Sequence, residues 1–113
     1  MNKNYEVAFE LISNAGDSKS ESMMAIEAAR EFNFVEAEEH LENANKKLQE
    51  AHKAQANLIH QEASGEEIDV NIILVHGQDH LLGAIITRDQ AEEFVNLYKT
   101  IRSLEEKVEY INS

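Results

Sequence analysis

The sequence predicts an all-α protein, a bundle of three long antiparallel helices. Three observations carry this. Proline is absent and glycine occurs only four times in 113 residues, so breakers are scarce and long helices are favoured over a turn-rich β fold. Apolar residues recur at three- and four-residue steps through most of the chain, the period of one helix face. Start and stop signals fall at Asn33 and at Ser64-Gly65, dividing the chain into three pieces. A chain of this length makes one domain, residues 1–113, whose core as a monomer would be modest. Oligomerisation is the natural remedy.

The first helix is expected over about 5–30. Phe9, Ile12, Ala15, Met23, Ile26 and Ala29 lie at spacings that a helix brings to one side. Gly16-Asp17-Ser18 weakens its middle without supplying a loop. The second helix is expected over 34–64. Asn33 precedes Glu36 by three residues, so the asparagine can cap the helix while the glutamate reaches back. Its seam runs Ala37, Leu41, Ala44, Leu48, Ala51, Gln55 and Leu58, a heptad pattern that calls for a neighbouring helix. Glu42 and Lys46 form an outward i, i+4 pair. Gln55 puts an amide into the seam and needs a hydrogen-bonding partner if enclosed. Gly65 suits the position just after the helix end.

The third helix is expected over 70–109. Val70 to Val75 is rich in β-branched residues and alone would pass for a strand. No second strand is available to pair with it, and an unpaired strand leaves an unsatisfied edge, so it is assigned to the helix. Downstream, Phe94, Leu97, Tyr98, Ile101, Leu104, Val108 and Ile111 are helically spaced. Short connections make the arrangement up-down-up. A separate row, Ile72, His76, Asp79, Gly83 and Ile86, mixes apolar, small and ionisable residues. Such a face is awkward in a monomer core and suits the seam of a symmetric oligomer.

Composition excludes several classes of function. The net charge of −12, with lysines and arginines scattered, argues against nucleic acid or an anionic lipid surface as partner. Absence of cysteine removes disulfides, thiolate metal sites and a cysteine nucleophile, and fits a reducing cytoplasm. The first residues, Met1 to Glu6, lack the apolar stretch of a signal peptide, and the longest strongly apolar run is Ile72 to Val75. Neither secretion nor membrane insertion is expected, and a cytoplasmic location is.

Chemistry is concentrated at His76-Gly77-Gln78-Asp79-His80. On a helix, His76 and His80 share a face, with Asp79 one turn from His76. Two i, i+4 histidines could bind zinc with further ligands, a glutamate or histidine of the second helix for instance. Neutral imidazole could instead accept a phosphoryl group, with Gly77 keeping the approach clear. A non-catalytic helical adaptor also accounts for the acidic faces and heptads. The residues alone leave these readings open. His40, beside Glu38 and Glu39, is expected to be a solvated surface residue. His60 is expected to interact with the end of the second helix, and His52 to share a polar network with Gln55.

Ala51-His52-Lys53-Ala54-Gln55, Glu62-Ala63-Ser64-Gly65-Glu66 and His76-Gly77-Gln78-Asp79-His80-Leu81 together resemble the lactose/cellobiose family of enzyme IIA components of the bacterial phosphoenolpyruvate-dependent sugar phosphotransferase system. Ala15-Gly16-Asp17 and Leu97-Tyr98-Lys99 extend the resemblance over nearly the whole chain. It departs at Arg30-Glu31-Phe32-Asn33-Phe34, where relatives more often have a glycine-containing turn, and beyond Lys99, where this chain is longer than usual.

The resemblance implies a nine-helix homotrimer of three-helix subunits. It implies His76 as phosphoacceptor and His80 as the supporting second histidine. Asp79 from each of three subunits would meet around Mg²⁺ or another divalent ion at the trimer axis. The phosphoryl donor would be the phosphocarrier HPr, and the acceptor a cysteine of a IIB component. The sugar, of the lactose, cellobiose or chitobiose kind, is chosen by the transmembrane partner and is not readable here.

Overall fold

The computed structural model describes residues 3–113, with side chains from Tyr5 onward. The chain forms α1 (Lys3–Arg30), α2 (Phe34–Ala63) and α3 (Ile72–Asn112). Among the described residues there is no strand, and no helix is long and apolar enough to cross a membrane.

Local hydrogen bonding sets each boundary. At the α1–α2 corner the Phe32 N–H donates to the Ala29 carbonyl and the Asn33 N–H to the Ala28 carbonyl, both at 2.9 Å. This is a Schellman ending. It uses the Asn33 N–H that Glu36 was expected to reach, and the Asn33 side chain makes no capping bond. The capping box is therefore not formed. Phe32 takes the left-handed position at φ 61°, which costs a non-glycine residue about 1–2 kcal/mol. Its ring offsets part of that strain, lying 6.1 Å from Phe34 and under the Arg102 guanidinium of α3 at 5.2 Å. After α2 the same motif recurs with Gly65 at φ 95°, its N–H donating to Glu62 and that of Glu66 to Gln61.

α3 starts at Ile72, two residues later than the sequence suggests. Asn71 is extended (φ −119°, ψ 172°), and its side-chain oxygen accepts from the Leu74 N–H at 2.9 Å. That cap fixes the first residue of the helix and leaves Val70 in the connection. Asn71→Ala should lower unfolding free energy by about 1 kcal/mol, measured by urea denaturation. An unchanged midpoint would show the cap to be dispensable.

α1 lies along both other helices, whereas α2 and α3 touch each other far less. Its buried row is accordingly small: Ala8, Ala15, Ser18, Ser22, Ala25 and Ala29, with Leu11. A helix flanked on two sides can approach both only where its side chains are short. Phe9 and Met23, expected in the core, stand outward and are half exposed. Ser18 donates its hydroxyl to the Ala44 carbonyl at 2.9 Å, which satisfies it at the α1–α2 contact.

On α2, Ala37, Leu41, Ala44, Leu48, Ala51 and Leu58 are buried along one seam. Near one end of the bundle Ala8 and Leu11 meet Leu58 and Leu74. Near the other, Ala25 and Ala29 meet Leu41, Ala91 and Val95. α2 thus runs antiparallel to α1, and α3 runs parallel to it. At 41 residues against 28 and 30, α3 overhangs the other two, and the molecule measures 69 × 23 × 19 Å.

Candidate functional site

The candidate site stands on the first three turns of α3. Leu74, Gly77 and Leu81 point inward and are buried, and their steps of three and four aim the intervening residues outward. His76 is exposed and His80 half-buried. Their Nε2 atoms are 3.0 Å apart, and the rings meet edge to face with centroids 4.4 Å apart. A bond between two imidazole nitrogens needs one protonated and one bare. With His80 as donor, His76 keeps a lone pair on Nε2.

Gly77 serves a different purpose from the one its sequence position suggests. A Cβ there would lie 3.2 Å from the Ala8 carbonyl oxygen and 3.4 Å from the Leu11 Cβ. Its bareness lets α3 approach the backbone of α1. The space it leaves is filled by α1, about 100° around the helix from His76. What Gly77 gives the site is a firmly seated first stretch of α3.

Gln78 was legible within the motif, though without a task. Its Oε1 accepts from Gln55 Nε2, tying the site to α2 and supplying the partner that the half-buried Gln55 requires. His52 is exposed and does not take that place. Beside this amide pair lies a groove of about 290 Å³, lined by Gln55, Leu58, Ile68, Val70, Leu74 and Gln78 among others.

His40 is the histidine that sequence reasoning misplaced. It is half-buried, with Nδ1 2.6 Å from Glu21 of α1 and Nε2 3.7 Å from Glu36. It bridges two helices instead of facing solvent. The only signal was its place on α2 opposite an acidic turn of α1, which needs the helix register to be known.

Asp79 is exposed on the outward side of α3. Its neighbours there are Ile72, Val75, Leu82 and Ile86, between 48% and 84% exposed. Val75 and Leu82, which the row of Ile72, His76, Asp79, Gly83 and Ile86 leaves out, add to the exposed apolar surface beside it. Among the described residues no group of three or more histidine, cysteine, aspartate or glutamate side chains could hold a metal ion. The pair His76–His80 therefore lacks the third ligand from α2 that a zinc site within the chain would need.

A family model described as "PTS system, Lactose/Cellobiose specific IIA subunit" matches residues 6–99. The chain belongs to this family. It is 42% identical over 93 residues to the lactose-specific EIIA component of Staphylococcus epidermidis, covering 82% of this chain and 89% of that one. The cellobiose-specific enzyme IIA of Bacillus anthracis superposes with a TM-score of 0.88 at 37% identity, over 91% of this chain and 94% of that structure. The chitobiose IIA solved in complex with HPr from Escherichia coli superposes with a TM-score of 0.78 at 28% identity, over 90% and 99% respectively. The protein is thus a lactose/cellobiose-type IIA component of the sugar phosphotransferase system, and its three-helix fold matches those of the two solved IIA components just described.

Proposed function

We propose that this IIA component accepts a phosphoryl group from phospho-HPr on His76 Nε2 and passes it to a cysteine of its cognate IIB component, during uptake of a lactose-, cellobiose- or chitobiose-type sugar. The observation that carries the reading is the 3.0 Å Nε2–Nε2 contact on an exposed face, in a family with a member solved bound to HPr. Phosphoryl transfer asks a protein to present the nucleophile in line and to stabilise the equatorial oxygens. His76 does the first: its Nε2 forms the bond to phosphorus as the bond to the HPr histidine breaks. The N–H of His80, already aimed at the same nitrogen, turns to a phosphoryl oxygen.

The test is to mix the purified protein with phosphorylated HPr. An acid-labile phosphate on this chain is the expected result, and no transfer would sink the reading. His80→Ala should keep the acceptor and slow transfer roughly 10- to 100-fold, the scale of one lost charge-assisted hydrogen bond of about 1.5–3 kcal/mol. An unaltered rate would remove His80 from the mechanism.

The outward apolar side of α3 supports a homotrimer with its α3 helices at the axis. Asp79 is the one carboxylate between Val75 and Leu82, so three copies would bring three carboxylates together. Hard oxygen donors suit Mg²⁺ or another divalent ion, and one such ion would neutralise their mutual repulsion. The donor set fits only between copies, since a single chain offers one of the three. Asp79→Leu, which replaces charge by apolar packing, should leave the trimer intact and independent of chelators in light scattering. Dissociation to monomers would make the carboxylates indispensable to assembly.

A further inference from the structure

The first turns of α3 carry His76 and His80, so whatever fixes the rotation of that stretch about its axis fixes where the imidazoles stand. The cap at Asn71 accepts from the helix's own Leu74 N–H and orients α3 against nothing else. Toward α1 the contact is smooth. Gly77 lies against the Ala8 backbone, and the core around it is built from Ala8, Ala15, Ala51, Ala54 and Ala84 with leucines among them. Apolar burial is non-directional, so such a core holds α3 close to its neighbours without setting its roll sharply.

Polar contacts supply the direction. Among the described residues two side-chain hydrogen bonds join α3 to α2, Lys99 Nζ to Glu38 at 2.7 Å and Gln55 Nε2 to Gln78 Oε1 at 2.5 Å. They stand about 30 Å apart along α3. The first is exposed and far from the histidines, whereas the second is partly buried. Leu58 and Leu74 line the same groove as the amide pair, and apolar surroundings strengthen a hydrogen bond. Gln78 lies two residues from His76 and two from His80, about 160° around the helix from each. A tie at that point acts across the full width of the helix. A helix with its side chains is about 10–12 Å across, so each 10° of roll moves an imidazole tip by about 1 Å.

We propose that Gln55 is a positioning residue for phosphoryl acceptance. Its bond to Gln78 sets the roll of α3 and so aims His76 Nε2 along the line of attack. The proposal rests on the reading of His76 as acceptor and deepens it. Gln55 acts through Gln78 and the helix, not on the phosphoryl group. Its place in the chain supports this role. The seam of α2 is otherwise alanine and leucine from Ala37 to Leu58, and a single polar residue in an apolar seam specifies register at a cost in stability. The register specified here is that of the stretch bearing the nucleophile.

The test is Q55M/Q78M in the full-length chain. Methionine is close to glutamine in length and in helix propensity, and removing both partners leaves no amide unsatisfied, so the urea midpoint should hold. The maximal rate of transfer from phospho-HPr should fall roughly 10- to 100-fold, the scale of a misplacement of about 1 Å. The phospho-HPr concentration that gives half the maximal rate should not change. Gln78→Glu keeps an oxygen for the Gln55 N–H to reach and should transfer at the wild-type rate. A purely structural pair would shift the midpoint and leave the maximal rate alone. Should Q55M/Q78M not fold, Gln55→Asn, one methylene too short for the bond, must show the same slowing. An unaltered maximal rate in the folded variant would overturn the proposal and leave His76 as acceptor. A raised half-saturating concentration at an unaltered maximal rate would assign the pair to docking HPr and overturn positioning. A wild-type chain that accepts no phosphate would remove the acceptor reading and this proposal together.

Discussion

Replacing His76 by glutamine is expected to abolish phosphoryl acceptance from phospho-HPr, with no labelled chain after prolonged incubation. Glutamine is polar and similar in reach, but its amide nitrogen has no free lone pair with which to attack phosphorus. The fold should be indifferent to the change. His76 is exposed, and the contact that defines its position is with His80, another site residue. Surface changes of this kind alter stability by about 0.5 kcal/mol or less, so an unchanged urea midpoint with no acceptance isolates the chemistry. Phosphate persisting on His76→Gln would move the acceptor elsewhere. His80 would then be the first candidate, since its Nε2 occupies the same space. The double variant His76→Gln with His80→Ala separates these cases, because a residual label that disappears only in the double variant belongs to His80.

How far the sequence discloses this molecule depends on how local each feature is. The meeting of His76 and His80 follows from a four-residue step on one helix and could be read directly. The seam of α2 could be read as well, because its buried residues follow one strict heptad row. α1 could not, since it is enclosed on two sides and buries Ala8 and Ser18 while Phe9 faces out. A hydropathy reading selects the larger residue and turns the helix the wrong way. Gln55 signalled a missing partner, but Gln78 could be identified only once the register of α2 against α3 was fixed. His40 and Glu21, nineteen positions apart, depend in the same way on the pairing of α1 with α2. The start of α3 was misplaced because the β-branched Val70 was weighed without the competing cap at Asn71. A side-chain oxygen bound to the Leu74 N–H decides where that helix begins.

Gly77→Leu should lower the stability of the fold by roughly 1–3 kcal/mol or more, the cost of forcing extra methylenes into a packed contact. A small domain has about 5–15 kcal/mol in all, so the shift in the urea midpoint should be large. Leucine does gain helix propensity over glycine, but by less than about 1 kcal/mol, which cannot balance the overlap. The first added atom already meets a backbone oxygen of Ala8 at 3.2 Å, and backbone cannot swing aside as a side chain can. Gly77→Ala adds only that atom, so its propensity gain and its contact should nearly cancel, and the two variants together give a steep dependence on size. Were Gly77 present to keep His76 accessible, Gly77→Leu would slow transfer and leave stability alone. The expected pattern is the reverse in emphasis: a lost midpoint first, with transfer falling only as α3 is pushed away from α1 and the Gln55–Gln78 bond across to α2 is disturbed. A stable, slow Gly77→Leu protein would return the glycine to the active site.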